Sequence, residues 1–128
     1  MSTRCQIVIN EECSIKNPIA IIYKHHDGYP ESEHGIIHNI LPFLQNFKRE
    51  RGNGLEYLAA RLLQHIVNKY NAQYTGIGLC RELHGDIEYL YIITDKYLYV
   101  YKMSYTDNVD SGKKKIKAQS TLLEKIEI

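Results

Sequence analysis

The amino-acid sequence predicts an α+β fold in which two helices pack on one face of a single antiparallel sheet of about five to six strands. Runs rich in β-branched and aromatic residues occur near both ends of the chain, whereas the middle carries apolar residues at helical spacing. The 128 residues suit one domain, 1–128, and 44% hydrophobic with 24% charged residues is the composition of a globular protein.

Two strands are predicted at the start of the chain. Residues 4–10 alternate in polarity and place Cys5, Ile7 and Ile9 on one face. Residues 19–24 are almost continuously apolar, which is typical of a buried strand. The polar segment between these strands is too short for a crossover helix, so the pair is predicted to be antiparallel.

Two helices are predicted in the middle of the chain. Apolar residues recur at helical spacing over residues 36–47, where Pro42 predicts a kink or a new first turn. The Gly52-Asn53-Gly54 segment ends this pattern, and Asn53 is a candidate cap for the next helix. Residues 55–70 then form one apolar stripe, which predicts the clearer of the two helices.

Strand character returns over residues 74–81, and residues 87–94 and 97–103 predict a hairpin joined through Asp95-Lys96. Tyrosines alternate along that hairpin. A sheet face rich in tyrosine is typical of an interface, so we expect another subunit to cover the face opposite the helices.

The end of the chain is more polar. Residues 106–117 contain the run Lys113-Lys114-Lys115, which predicts a mobile, lysine-rich loop. Residues 120–128 fit either a last strand or a short helix, and their pattern does not decide between the two.

Charge and composition exclude several protein classes. Sixteen Lys and Arg against fifteen Asp and Glu give a net charge of +1, without the basic excess of a protein that coats nucleic acid. No apolar run approaches the roughly 20 residues that cross a membrane, and the first residues lack the apolar core of a signal peptide. Three cysteines match neither a disulfide framework nor a zinc motif. We therefore expect a cytoplasmic protein with no membrane partner and no sequence-specific nucleic-acid partner.

Two polar clusters follow predicted strands, one at residues 24–29 and one at residues 81–86. Turns held by a rigid sheet are common positions for binding residues. If both turns lie at one end of the sheet, their side chains converge. The candidate ligand-binding residues are Arg4, Lys24, His25, His26, Asp27, Tyr29, Arg81, His84, Asp86 and Tyr89.

Three interpretations of these clusters stay open. His and Asp side chains could hold a metal that activates water, although no known metal-motif spacing is present. His, Arg, Lys and Tyr side chains could bind phosphate, ribose and base faces. The Asp-Gly and Gly-Asp pairs could also be plain turn formers. No catalytic residue, bound metal or cofactor is predicted from the spacing.

Three separated segments carry a resemblance to a known group of proteins. They are Ser2-Thr3-Arg4, Tyr23-Lys24-His25-His26-Asp27-Gly28-Tyr29-Pro30-Glu31 and His84-Gly85-Asp86-Ile87-Glu88-Tyr89. Over the chain up to about Tyr101, the sequence resembles a group of short bacteriophage and prophage proteins of unassigned activity. The resemblance implies a phage or prophage source, and hence the cytoplasm of a bacterial host, but no catalytic residue.

By size and expected fold the chain is also loosely similar to phage sponges of the Thoeris anti-defence type. This similarity implies a non-enzymatic homo-oligomer that sequesters a cyclic nucleotide or a cyclic ADP-ribose-like immune signal. The alternatives are a metal-dependent phosphodiesterase and an inhibitor of a host defence protein. In the sponge hypothesis, phosphate is held by Arg4, Lys24 and Arg81, phosphate or ribose is bonded by His25, His26 and His84, and a base stacks on Tyr29 or Tyr89.

Overall fold

The computed structural model describes residues 3–51, 54–71, 76–110 and 113–128, and for 50, 51, 106–110 and 113–118 it describes the backbone alone. The described elements are, in chain order, β1 (Cys5–Ile9), β2 (Ala20–Lys24), α1 (Ile36–Arg51), α2 (Leu55–Lys69), β3 (Ile77–Leu79), β4 (Tyr89–Ile93), β5 (Tyr97–Asp110) and β6 (Lys113–Glu127).

The strands form a single sheet in the order β3-β2-β1-β4-β5-β6. The predicted α+β fold is confirmed, as are the antiparallel pairs β1–β2 and β4–β5. The predicted antiparallel sheet is mixed and mostly antiparallel, because β1 and β4 are parallel. Residues 80–88 cause this difference: they run back across one face of the sheet, so that β4 starts beside β1 and points the same way.

The main core lies between the helices and one sheet face, called here the helix face. Alternate residues of β1 point into it, as predicted: Cys5, Ile7 and Ile9 are fully buried. The facing helices contribute Ile40 and Leu62, also fully buried. These residues fix the sheet's position against the helices.

The helix α1 runs through Pro42 as one element, so no new helix begins at that proline. The helix α2 has Gly54 as its N-cap, without a side-chain cap bond. The candidate cap Asn53 lies outside the described residues. Neither described helix combines the length and hydropathy of a membrane span.

The opposite sheet face, called here the outer face, holds a smaller buried cluster that includes Val8, Ile21 and Leu90. Parts of the chain itself cover this cluster. Ile87, from the returning segment, is fully buried there, and residues 13–15 line a groove of about 370 Å³ over the same face. Cover by another subunit therefore stays a prediction, for a face that is already partly occupied.

The interpretation of residues 106–117 as a loop is wrong for the described backbone. Residues 106–110 and 113–117 are paired strand, in register from Thr106↔Lys117 to Asp110↔Lys113. The pairing of the strands explains why the sequence pattern predicted a loop here. The pairing of β4 with β5 extends only as far as Lys102, so the outer part of β5 pairs with β6 alone. A two-stranded ribbon is held by backbone bonds and needs no apolar alternation along it. Residues 120–127 are strand rather than helix.

Candidate functional site

The two predicted polar clusters meet at one end of the sheet, and Arg4 joins them. Its Nε donates a hydrogen bond to His25 Nδ1 at 3.3 Å. Its Nη1 lies 3.4 Å from Asp86 Oδ2 in an ion pair. One arginine therefore links the turn after β2 to the turn before β4, as convergence at one end of the sheet requires.

Tyr23 stands between the histidines of the two clusters. Its hydroxyl lies 2.9 Å from His25 Nδ1, and its ring centroid lies 4.9 Å from that of His84 at an interplanar angle of 32°. Sequence reasoning did not select Tyr23. The alternation of strand residues could have found it, because residues two apart on a strand share a face.

Two adjoining hollows of about 340 and 640 Å³ share Tyr23 and Gly78. The smaller is lined by His25, His26 and residues 76–78, and the larger by residues 78–85. We call their union, Tyr23 with His25, His26 and residues 76–85, the Tyr23 trough. Gly78 leaves its floor open, since an added Cβ would meet no atom within 4 Å.

The hydrogen bonds of His25 fix its tautomer. A guanidinium only donates, so His25 Nδ1 must accept the bond from Arg4 Nε. The ring proton is therefore on Nε2, and the Tyr23 hydroxyl donates to the same Nδ1. His25 thus carries its ring proton as an Nε2–H donor, and the residue lines the smaller hollow. The neighbouring His26 ring meets it edge-on, with centroids 4.7 Å apart.

Gln6 lies beneath the larger hollow and bonds to the backbone of two residues that line it. Its side chain is fully buried, and its amide donates to the Glu82 carbonyl at 3.1 Å and accepts from the His84 N–H at 2.8 Å. Tyr105 supports the same segment by donating to the Ile87 carbonyl at 2.9 Å. These bonds tie the backbone of residues 82–87 to the outer face of the sheet, at the position from which the His84 side chain extends.

Lys24 lies on the helix face, away from the trough. It is fully buried, donates to the His26 carbonyl, and holds its Nζ 3.6 Å from the centre of the Tyr70 ring. Burial lowers the pKa of Lys24 to about 8, and the neighbouring Cys5 and Asp27 oppose that shift. This lysine is placed to hold the turn and does not line the trough.

Asp27 and Tyr29 belong to the same helix-face group. The Tyr29 hydroxyl donates to Asp27 Oδ1 at 3.1 Å, and Asp27 has a φ of 52°, a conformation that Asp tolerates better than most residues. Between them, the buried Gly28 carbonyl accepts a 2.6 Å bond from Tyr91. Burial raises the pKa of Tyr91, so this hydroxyl stays a donor.

The remaining candidates lie on different faces. Arg81 is exposed and lines the larger hollow. Tyr89 packs against the helix-face core, and its hydroxyl accepts from Lys102 Nζ at 3.3 Å. The ten candidates thus fall into three groups. Four line the trough: His25, His26, Arg81 and His84. Two, Arg4 and Asp86, brace it, and four lie on the helix face: Lys24, Asp27, Tyr29 and Tyr89.

In the described part of the chain, no group of three His, Cys, Asp or Glu residues is arranged to hold a metal ion. Comparison with models of known protein families, with curated proteins and with solved structures gave no match.

Proposed function

We propose that this protein binds a small phosphorylated nucleotide in the Tyr23 trough and holds it without cleaving it. The position of Tyr23 carries the proposal. Its ring stands between His25 and His84 and lines both hollows, so ring-stacking and hydrogen-bonding groups share one open depression.

The base of the ligand lies against the Tyr23 ring, above Gly78. Stacking of a base on an aromatic side chain contributes about 1–3 kcal/mol. The missing side chain at Gly78 supports this position, since the space above that residue is open. Tyr23 replaces Tyr29 and Tyr89 as the stacking residue, because Tyr29 bonds to Asp27 near the helix-face Tyr70 and Tyr89 packs against the helix-face core.

The phosphate lies toward Arg81 and His84 in the larger hollow. Arg81 is exposed there, and a guanidinium matches phosphate with paired donors. Arg4 is already engaged by Asp86 and His25, so its role is to orient His25 rather than to contact phosphate. His25 and His26 serve the ribose hydroxyls or a second phosphate at the other end of the trough.

The proposed biological role of this binding is to keep an immune signal away from a host effector. The signal is a cyclic nucleotide or a cyclic ADP-ribose-like molecule. The resemblance to phage proteins supports this role. Sequestration requires a dissociation constant below the signal concentration. One base stack and several charge-assisted bonds, each worth about 1–3 kcal/mol, are consistent with that requirement.

The first experiment identifies what the protein carries. The protein is incubated with a panel of cyclic nucleotides and cyclic ADP-ribose, separated from unbound ligand and denatured by heat, and the released molecules are identified by mass spectrometry. Release of an intact ligand is expected. A cleaved ligand indicates a phosphodiesterase instead, and no bound ligand with a co-purifying host protein indicates an inhibitor.

The second experiment locates the site. Replacing Tyr23→Leu keeps an apolar side chain but removes the stacking ring, so the affinity for the released ligand should fall about tenfold or more. Tyr57→Leu is the matched control, because Tyr57 is 68% exposed on α2, away from the trough. Equal affinity in the Tyr23 variant and the control would contradict the proposed site.

A further inference from the structure

The strand β3 lies at one edge of the sheet, and its hydrogen bonds show which backbone groups face outward. The His25 N–H donates to the Gly76 carbonyl, and the Cys80 N–H donates to the Ile21 carbonyl, both at 2.9 Å. In an antiparallel pair, alternate residues bond to the neighbouring strand. Gly78 therefore bonds to Tyr23, its register partner, and the N–H and C=O groups of Ile77 and Leu79 point away from the sheet.

The two edges of this sheet differ in how they are protected. Exposed edges are usually guarded by charges, prolines or bulges, because an unguarded edge recruits another strand. Residues 119–127 of β6 contain Glu124, Lys125 and Glu127, and the pairing with β5 has a register shift at Val100/Tyr101. Residues 76–80 read Gly-Ile-Gly-Leu-Cys, without charge or proline, and Leu79 is 67% exposed.

We propose that β3 pairs with β3 of a second copy of this chain, in antiparallel register about Gly78. Each Ile77 then exchanges both backbone hydrogen bonds with Leu79 of the other copy, so the four outward groups of each edge are satisfied. The two Gly78 residues meet at the centre, where opposed residues come closest. A glycine at this position permits that approach without a side-chain collision.

Self-complementarity favours a second copy over a foreign peptide. The outward groups are spaced symmetrically about Gly78, so the same edge serves as both halves of a twofold interface. The axis of such a pair is perpendicular to the sheet. Both outer faces therefore point to the same side, and the two Tyr23 troughs lie next to each other across the axis. This interface does not depend on the identity of any ligand.

The oligomeric state tests the interface. Light scattering after size exclusion, over about a hundredfold dilution, should show a dimer that dissociates as the protein is diluted, because the paired edge is short. Leu79→Lys adds a charge to the edge and should give a monomer at every concentration. Leu122→Lys is the matched control on β6, where Leu122 is 49% exposed, and it should remain dimeric.

Amide hydrogen exchange gives a second readout on the unmodified protein. The N–H groups of Ile77 and Leu79 should exchange slowly in the concentrated sample and quickly after dilution, whereas the Gly78 N–H stays protected in both. A wild-type protein that is monomeric throughout would overturn the proposal. So would a dimer that persists in Leu79→Lys, or Ile77 and Leu79 amides whose exchange does not depend on concentration.

Discussion

Tyr23 and Lys24 are consecutive residues, yet they end β2 on opposite faces of the sheet and in opposite environments. On the outer face, the Arg4–Asp86 ion pair has side chains that are 38% and 52% exposed. On the helix face, Lys24 and Tyr91 are fully buried and hydrogen-bonded to the backbone of residues 26–28. The comparison shows that one short motif serves two purposes, since its helix-face residues hold the turn and its outer-face residues remain accessible.

This difference has an energetic basis. A buried hydrogen-bonded group cannot be removed without leaving its partner unsatisfied, which costs about 1–3 kcal/mol. Solvent screens an exposed ion pair, which contributes at most about 1 kcal/mol. Changes on the helix face should therefore alter stability, and changes on the outer face should alter binding and side-chain chemistry with little effect on stability.

The largest effect is expected from Gly28→Ala. The added Cβ would lie 2.7 Å from Cys5 Cβ and 2.8 Å from the Thr3 carbonyl oxygen, and neither atom can move without shifting β1. The free energy of unfolding should fall by about 3 kcal/mol, measured by urea denaturation. Gly85→Ala is the matched control, because its added Cβ would meet no atom within 4 Å. Equal stability of the two variants would contradict the expectation that changes on the helix face cost more stability than changes on the outer face.

An intermediate effect is expected from Lys24→Met, and it depends on pH. The pKa of Lys24 is about 8 in the folded protein and 10.5 ordinarily, so between these values the unfolded chain binds more protons. Wild-type stability should therefore rise with pH across this window, relative to Lys24→Met, by about 1 kcal/mol per pH unit.

Urea denaturation of both proteins from pH 7 to pH 10 measures this difference. Burial raises the pKa of the Cys5 thiol to about 12, which lowers stability at high pH, but Cys5 is present in both proteins and its effect largely cancels. Lys96→Met, at an exposed lysine, is the control and should show no such slope relative to wild type. A Lys24→Met difference that does not change with pH would show that Lys24 keeps its proton.

The smallest effect on stability is expected from Arg4→Ala. Its free energy of unfolding should change by less than about 0.5 kcal/mol, because the ion pair is exposed. The His25 tautomer should shift, since without the guanidinium donor Nδ1 is free to carry the proton and donate to the Tyr23 hydroxyl instead of accepting from it. Nitrogen NMR of the His25 ring should show a larger Nδ1–H population than in wild type. Arg61→Ala, on α2, should leave that ring unchanged, and an unchanged ring in Arg4→Ala would contradict the bracing role of Arg4.

The sequence predicted those strands and helices whose buried apolar residues recur at a regular spacing. Cys5, Ile7 and Ile9 alternate into the helix-face core because a two-residue period records strand burial directly. It did not predict the outer half of the β5–β6 hairpin. Backbone pairing to a single neighbouring strand holds those residues, and such pairing leaves no hydrophobic period in the sequence.

The sequence predicted where the candidate site lies, but not which of the candidate residues line the trough and which lie on the helix face. The clusters at residues 24–29 and 81–86 converge because β2 and β4 flank β1. Which side chains line the trough depends on the face of each residue at a strand end, where the backbone leaves regular geometry. Lys24 and Tyr89 were candidate ligand-binding residues and lie on the helix face. Tyr23 was missed, although it shares its face with Gln6.

The parallel pairing of Cys5 with Tyr89 has a kinetic consequence for the chain as it is synthesised. These partners are roughly eighty positions apart, and contacts this distant in sequence form late, since a large loop must close first. The β1–β2 hairpin and the two helices can form while the ribosome is still adding residues. Arg4 meets Asp86 only after β4 has docked beside β1, so we expect the Tyr23 trough to be assembled in one of the last steps of folding.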